Sequence, residues 1–383
     1  MITRRFWPAT GGTERMLGNL AGELAKRGYP VTVLTAAWEK TWPSPIVFRG
    51  VPVVRLPKPK AGPFGSVRYI RALIHGLRHN REAYDLAYVS GLQEEANAAV
   101  GTLRGLLPVV LRAERTGRWG DCLWQLETHR GRNVKRVCMG ARAFVGPSRA
   151  LERELQAAGY PRDRIHFLSH GVPIPSQRHL PHVQSEARSV LAATSHRMVL
   201  PEKAALAVYH GCLHPERGVG HLVEAWARVV ARRPGAKLWL AGERSDDPAL
   251  LGQIDSLKLT GRVVPVGAFD SPEELLAAAD LLVSPAGEDD SLLLIEAMAA
   301  GLPVVAFDNA GNRAVVSDGR HGLLVPPGKS ESLAEAVNRL LDEPQLARQM
   351  GSEGRIRAEN EFPLAKMVDR HVTLVEELVS PGT

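Results

Sequence analysis

At 383 residues the chain is too long for one compact fold, and 44% hydrophobic with 23% charged residues excludes disorder, so two domains with separate cores are expected. No apolar run approaches the ~18 residues of a membrane span, and Arg4 and Arg5 lack an apolar stretch behind them, so the chain reads as cytosolic and unprocessed. The net charge of +7 is uneven: residues 1–172 hold 27 Lys+Arg against 13 Asp+Glu, or +14, and the remainder holds 21 against 28, or −7. A basic half of this kind faces nucleic acid, anionic lipid or a phosphorylated substrate, and charge alone does not choose among them.

Short apolar runs alternate with helical stretches along most of the chain, which argues for α/β architecture with parallel sheets covered on both faces. The spacing predicts a helix over Met16–Arg27 ending at Gly28, strands at Val31–Thr35 and Val51–Leu56, and a helix over Ser66–His79. Strands follow at Leu86–Ser90, Pro108–Arg112 and Ala143–Pro147, with a helix from Ser148. His170-Gly171-Val172-Pro173-Ile174-Pro175 and the polar stretch to His182 read as a linker. The second series has strands at Ala207–His210, Lys237–Ala241, Val263–Val266, Leu281–Ser284, Pro303–Phe307 and Leu323–Val325. Three closing helices, Glu331–Asp342, Gln345–Asn360 and Leu364–Val379, exceed one crossover, and the last is expected to pack back on the first domain. The expected domains are residues 1–172 and 173–363, with 364–383 rejoining the first. Only Met1 and Ile2 precede Thr3-Arg4-Arg5, so either a central strand is missing or the chain is truncated at its start, the latter being favoured.

Cys122, Cys138 and Cys212 stand at neither disulfide nor metal-ligand spacing and read as ordinary thiols. Three loops carry chemistry. Gly11-Gly12-Thr13-Glu14 lies before a helix, where two glycines let backbone amides approach an anion, although such a pair also suits a plain turn. His210-Gly211-Cys212-Leu213-His214-Pro215-Glu216-Arg217-Gly218 follows a strand and sets the fixed cation Arg217 beside a glycine at a helix start, a combination suited to a diphosphate or to a surface turn. His210 and His214 read as ordinary loop histidines. Pro285-Ala286-Gly287-Glu288-Asp289-Asp290-Ser291 follows another strand, and Glu296 follows Glu288 with seven residues between them, among Leu293, Leu294, Ile295, Ala297 and Met298. Carboxylates at the carboxyl ends of parallel strands suit sugar and ribose hydroxyls, while a helix-capping Glu288 and a surface Glu296 are the plainer alternative. Phe64–Arg81 interleaves Arg68, Arg71, Arg78 and Arg81 with Tyr69, Ile70, Leu73, Ile74 and Leu77, a pattern for an anionic membrane surface or for a core-packed helix with a solvated basic face.

Taken in order, these loops closely resemble the GT-B fold glycosyltransferases of family 4, over nearly the whole chain. The resemblance runs from Gly11-Gly12-Thr13-Glu14 through His170-Gly171-Val172 and His210–Gly218 to Glu288-x7-Glu296, Ala297-Met298-Ala299-Ala300-Gly301-Leu302-Pro303-Val304-Val305 and Gly322-Leu323-Leu324-Val325-Pro326-Pro327-Gly328. It implies two doubly wound Rossmann-like domains facing across a cleft, and retaining, metal-independent transfer of a sugar from a nucleoside-diphosphate sugar, carrying uridine or guanosine, with no other cofactor. The acceptor implied is a glycan, a lipid-linked molecule or a small molecule bound by the first domain, on the inner face of the membrane if lipid-linked. Carried over by position, Glu288 holds donor-sugar hydroxyls, Glu296 the ribose, and amides near Ser291, Leu292, Gly11 and Gly12 the diphosphate. Arg217 stands where the family usually has lysine and neutralises the leaving diphosphate. Trp119, Trp124 and the run Arg130–Arg136 are placed in the acceptor cleft by location.

Several positions depart from the family pattern. Cys212 replaces the usual arginine, Asp290-Ser291-Leu292 replaces Phe-Gly-Leu, and Gly311-Asn312-Arg313-Ala314 lacks the usual Pro-Glu. Arg112-Ala113-Glu114-Arg115 stands where a histidine is often found. The alternatives are a non-catalytic sugar-nucleotide or glycan-binding protein on the same scaffold and, from charge alone, a nucleic-acid binder with no accompanying motif.

Overall fold

Short runs of Val, Leu, Ile and Ala form parallel strands in both halves of the chain, most of them buried end to end, as expected of sheets covered on both faces. The computed structural model describes residues 1–39, 41–59, 65–117, 120–177, 179–201, 203–287 and 291–380. One unit comprises Met1–Ala9, Thr13–His170 and Leu364–Thr383, and the other Thr10–Gly12 and Gly171–Pro363. Among the described residues no helix is long and apolar enough to cross a membrane.

The first unit contains β1 (Val33–Ala36), β2 (Ile46–Phe48), β3 (Val51–Leu56), β4 (Ala87–Ser90), β5 (Val109–Arg112), β6 (Ala143–Gly146) and β7 (Ile165–Phe167). Its helices are α1 (Gly12–Lys26), α2 (Val67–His79), α3 (Glu94–Leu103), α4 (Asp121–Glu127), α5 (His129–Cys138) and α6 (Arg149–Ala157). β4, β5, β6 and β7 pair in parallel, as do β1 and β3. The expected gap at the centre of this sheet is filled. Ile2 bridges both Leu34 and Val89 in parallel, with Ile2 N–H to Tyr88 O at 2.8 Å and Ser90 N–H to Ile2 O at 2.9 Å. β2 was not foreseen; it pairs antiparallel with β3 through a tight turn at Arg49 and Gly50, whose φ values of 50° and 81° fit a two-residue hairpin.

α1 begins at Gly12, a turn earlier than expected, with Glu14 in the first turn where the helix dipole favours an acid. α2 buries Tyr69, Leu73 and Leu77 and leaves Arg68, Arg71 and Arg78 exposed, as is Arg81 in the turn that follows, so its apolar face is consumed by the core. Trp124 likewise packs against this core, and Arg130 pairs with Glu94; Trp119 lies outside the described residues. Phe144 and Tyr160 meet at 4.5 Å between ring centroids in the same core.

The second unit holds α7 (Pro181–Thr194), β8 (Leu206–His210), α8 (Val219–Arg232), β9 (Lys237–Ala241), α9 (Pro248–Ser256), β10 (Val263–Gly267), α10 (Glu273–Ala278) and β11 (Leu281–Ser284). It continues with α11 (Ser291–Ala300), β12 (Val304–Phe307), α12 (Ala310–Val315), β13 (Gly322–Val325), α13 (Ser330–Asp342) and α14 (Pro344–Glu361). The sheet is parallel in the order β10-β9-β8-β11-β12-β13 around a core containing Trp226, Trp239, Tyr209 and Phe307. The stretch read as a linker is pinned: Val172 N–H donates to Phe362 O at 2.9 Å, and Arg355 donates to the carbonyls of Pro175 and Gln177 at 2.6 and 2.9 Å. α7 starts within it because Pro181 suits a first helical position and Ala187 and Leu191, one turn apart, reach the core. These contacts place Gly171 and Val172 with the second unit, as they do not belong with the first. The last helix, α15 (Leu364–Val379), belongs to the first unit, with Tyr88 Oη 3.1 Å from His371 Nε2 and Arg27 Nη1 2.6 Å from Asp369 Oδ1.

Candidate functional site

In the second sheet the chain builds outward from β8 through β9 to β10, then returns to the other side of β8 with β11. Open α/β sheets bind ligands beyond the carboxyl ends of the strands at such a reversal. The two loops that leave β8 and β11 here are His210–Gly218 and Pro285–Ser291, both singled out by their residues.

These loops are held backbone against backbone. Gly211 N–H donates to Ala241 O at 2.9 Å, Leu213 N–H to Glu243 O at 3.1 Å, and Gly242 N–H to Gly267 O at 2.7 Å, lacing together the ends of β8, β9 and β10. A β-carbon at Gly242 would overlap the Gly211 carbonyl oxygen. Gly218 has φ 74° and presses on the Pro285 carbonyl, so only glycine fits between the β8 and β11 loops. It caps α8, whose first turn carries no acid and no side-chain cap. Asn309 Nδ2 donates to Ala286 O at 3.3 Å, tying in the loop after β12, and Asn312 Nδ2 holds Phe307 O at 2.8 Å. The sequence offered only a departure from a family pattern at Asn312 and nothing at Asn309, whose capping of α12 through Asn312 N–H at 2.9 Å needed the fold.

α11 is apolar nearly all round, and Leu292 and Glu296 are its half-buried positions while its other residues are buried. Four residues apart, they share one face, so the carboxylate stands on the helix's one open stripe. Gly12 joins this group: a β-carbon there would lie 3.3 Å from Leu292 Cδ2, and Thr10–Gly12 belongs with the second unit, not the first as expected. Gly11 is half-buried beside it, and Ser291, the first residue of α11, is buried. Arg217 is half-buried at the end of the β8 loop, and Arg217, Ser291 and Glu296 all have interaction partners. Glu288, Asp289 and Asp290 lie outside the described residues.

Cys212 is exposed and lies within electrostatic reach of Arg244. Arg244 follows β9 with φ 68°, a conformation costly for a side-chain-bearing residue, and Asp247 Oδ2 accepts from its Nε at 3.0 Å. A fixed cation therefore stands beside the position where the family pattern has an arginine. Nothing in local spacing pointed to it, because the two loops meet only through the β8–β9 pairing. His210 is buried at the end of β8, and His214 Nδ1 accepts from Glu216 N–H at 3.3 Å as a loop cap. Among the described residues the arrangement offers two helix N-termini free of first-turn acids, arginines and the Glu296 carboxylate at one sheet edge, which suits an anion linked to a hydroxylated group.

A family model described as Glycosyltransferase Family 4 matches residues 10–174, and one described as Glycosyl transferases group 1 matches residues 204–343. An alpha-D-kanosaminyltransferase of Streptomyces kanamyceticus is 30% identical over 232 residues, 60% of this chain and 56% of that protein. An exopolysaccharide phosphotransferase of Streptomyces coelicolor is 35% identical over 171 residues, 44% of this chain and 18% of that protein. The chain thus spans about half the length, or less, of these curated relatives. Among solved structures, Anabaena HepE in complex with UDP and glucose has a TM-score of 0.78 at 21% identity, over 98% of this chain and 99% of that one. Matched by both models in succession, and sharing its fold from end to end with HepE and with WaaG, a glycosyltransferase involved in lipopolysaccharide biosynthesis (TM-score 0.74 at 18% identity over 99% of each chain), the chain belongs to the family 4 glycosyltransferases and has the GT-B fold.

Proposed function

We propose that the protein transfers a sugar from a nucleoside-diphosphate sugar to a hydroxylated acceptor, with retention at the anomeric carbon and without a bound metal. The observation that carries this reading is the convergence of the α8 and α11 N-termini, Arg217 and the Glu296 face at the strand-order reversal of the second sheet. In the reaction the bond from the anomeric carbon to the diphosphate oxygen breaks and a bond to the acceptor oxygen forms. The acceptor's proton passes to the departing diphosphate, whose charge Arg217, Arg244 and the helix ends offset. Glu296 takes the ribose hydroxyls and Glu288 those of the donor sugar. A uridine donor has the additional support that HepE is solved with UDP and glucose. The exposed arginines of α2 suit an anionic acceptor or the membrane surface that carries one.

Thermal unfolding with UDP, GDP and ADP, in the wild type and in Glu296→Ala, tests the reading. A nucleotide at a hundred times its dissociation constant adds about 2.7 kcal/mol, a rise of roughly 5–10 °C. The expected result is a rise with one nucleotide that the variant loses. No rise with any of the three overturns donor binding at this edge. Exposed Cys212 at the diphosphate end favours a second reading, a sugar-nucleotide-binding protein without turnover. It predicts a thermal shift but no release of nucleoside diphosphate with any acceptor.

A further inference from the structure

The carboxyl ends of β4 and β5 in the first unit hold a charge that nothing described so far uses. Arg112 and Ser90 are cross-strand partners at these ends, 2% and 5% exposed. The Arg112 side chain makes no hydrogen bond or ion pair with any described residue, and its Nη1 is wholly shielded, while its backbone carbonyl accepts from Gly91 N–H at 2.8 Å. A guanidinium cannot shed its proton, and burying one without a partner is strongly destabilising unless something neutralises it. Two neighbours that feel its charge, Tyr88 and His371, carry no negative charge to offset it. Tyr88 is held neutral chiefly by burial, and His371 is likewise kept neutral, by burial first and by the arginine's own charge.

Two residues on, Glu114 is fixed but remains half-buried. Ser90 Oγ donates to its Oε1 at 2.5 Å, and its own amide donates to Asp121 Oδ2 at 2.8 Å. Asp121 is 3% exposed, so a buried carboxyl is committed to holding this turn. Beside it, Gly91 has φ 90° and no side chain; a β-carbon there would stand 3.9 Å from Glu114 Cδ. The strand ends thus hold a buried cation with no side-chain partner among the described residues and, two residues on, a positioned carboxylate beside Gly91, which has no side chain.

We propose that Arg112 and Glu114 bind a hydroxylated anion, a sugar or polyol bearing a phosphate or carboxylate, whose anionic oxygen meets Arg112 while a hydroxyl donates to Glu114. Only the further step of naming this ligand the acceptor rests on the transferase reading above.

The test is thermal unfolding of the full chain, titrated with glucose 6-phosphate and gluconate, with glucose and inorganic phosphate as controls. The wild type is expected to rise with at least one of the two hydroxylated anions, and which of them acts distinguishes phosphate from carboxylate. Arg112→Met is expected to melt higher than wild type without ligand, because an uncompensated charge is removed, and to lose the ligand shift. Arg112→Lys, which keeps the charge without the planar fork, is expected to retain part of the shift. Glu114→Gln should weaken the hydroxylated anion about tenfold and leave inorganic phosphate unaffected. No shift of the wild type by either hydroxylated anion, or a shift that survives in Arg112→Met, overturns the proposal. So does a shift that vanishes in Glu296→Ala, since it then belongs to the second unit. A wild type that responds to glucose 6-phosphate but to no nucleotide keeps this site and fails the transferase reading.

Discussion

Gly218 and His371 show how far single residues constrain this protein. At Gly218 a left-handed backbone and direct contact with the Pro285 carbonyl act together, so Gly218→Ala is expected to lose at least about 2 kcal/mol and to displace the start of α8. Chemical denaturation would show the loss of stability, and titration with nucleotide would show weakened binding. His371 is buried, which pushes its pKa down to about 4, with Arg112 adding to the effect. The unfolded chain therefore binds more protons than the folded one between pH 6.5 and about 4, and stability falls as pH drops through that window, by up to about 3 kcal/mol. Asp121 acts in the opposite sense, since burial and then Glu114 raise its pKa and stability declines as pH rises through its shifted range. In denaturant midpoints measured from pH 7 to pH 4, His371→Gln should flatten the acid loss; a profile as steep as wild type would show that His371 does not cause it.

Among the elements, α11 and α15 separate two uses of a helix. α11 is an inner helix of the second unit, buried except along the stripe of Leu292 and Glu296, so its single charged position was readable as unusual from sequence. α15 has an ordinary amphipathic pattern and buries Met367, Val368, His371 and Leu374. Burial of the three apolar side chains is worth roughly 5–9 kcal/mol, comparable to the whole stability of a domain. Truncation after Pro363 is therefore expected to unfold the first unit and to leave the second folded. Limited proteolysis followed by mass spectrometry would read this as digestion confined to residues 1–170, and a protected first unit would contradict it.

At the scale of the whole molecule, two separate cores predict two calorimetric transitions, with added nucleotide raising chiefly the one that belongs to the second unit. A single transition that moves as one would show that the units unfold as a cooperative whole. The strands and helices were legible because each carries its own period of apolar residues, and the β8 and β11 loops because glycine, arginine and carboxylate cluster there in sequence. β2, β7, α7 and the helices α3, α4 and α5 were not; β2 and β7 are strands of only three residues, and α7 begins in a polar stretch read as a linker. Alone, the sequence determined the α/β class, the two sheets and the family, since these follow from local patterns that any compact fold must satisfy. Tertiary structure alone decided that Met1–Arg4 fills the centre of the first sheet, that Arg244 stands within electrostatic reach of Cys212, and that the Arg112 side chain lies buried without a partner among the described residues. Each of these depends on which strands become neighbours, and strand order is set by long-range packing that no local spacing records.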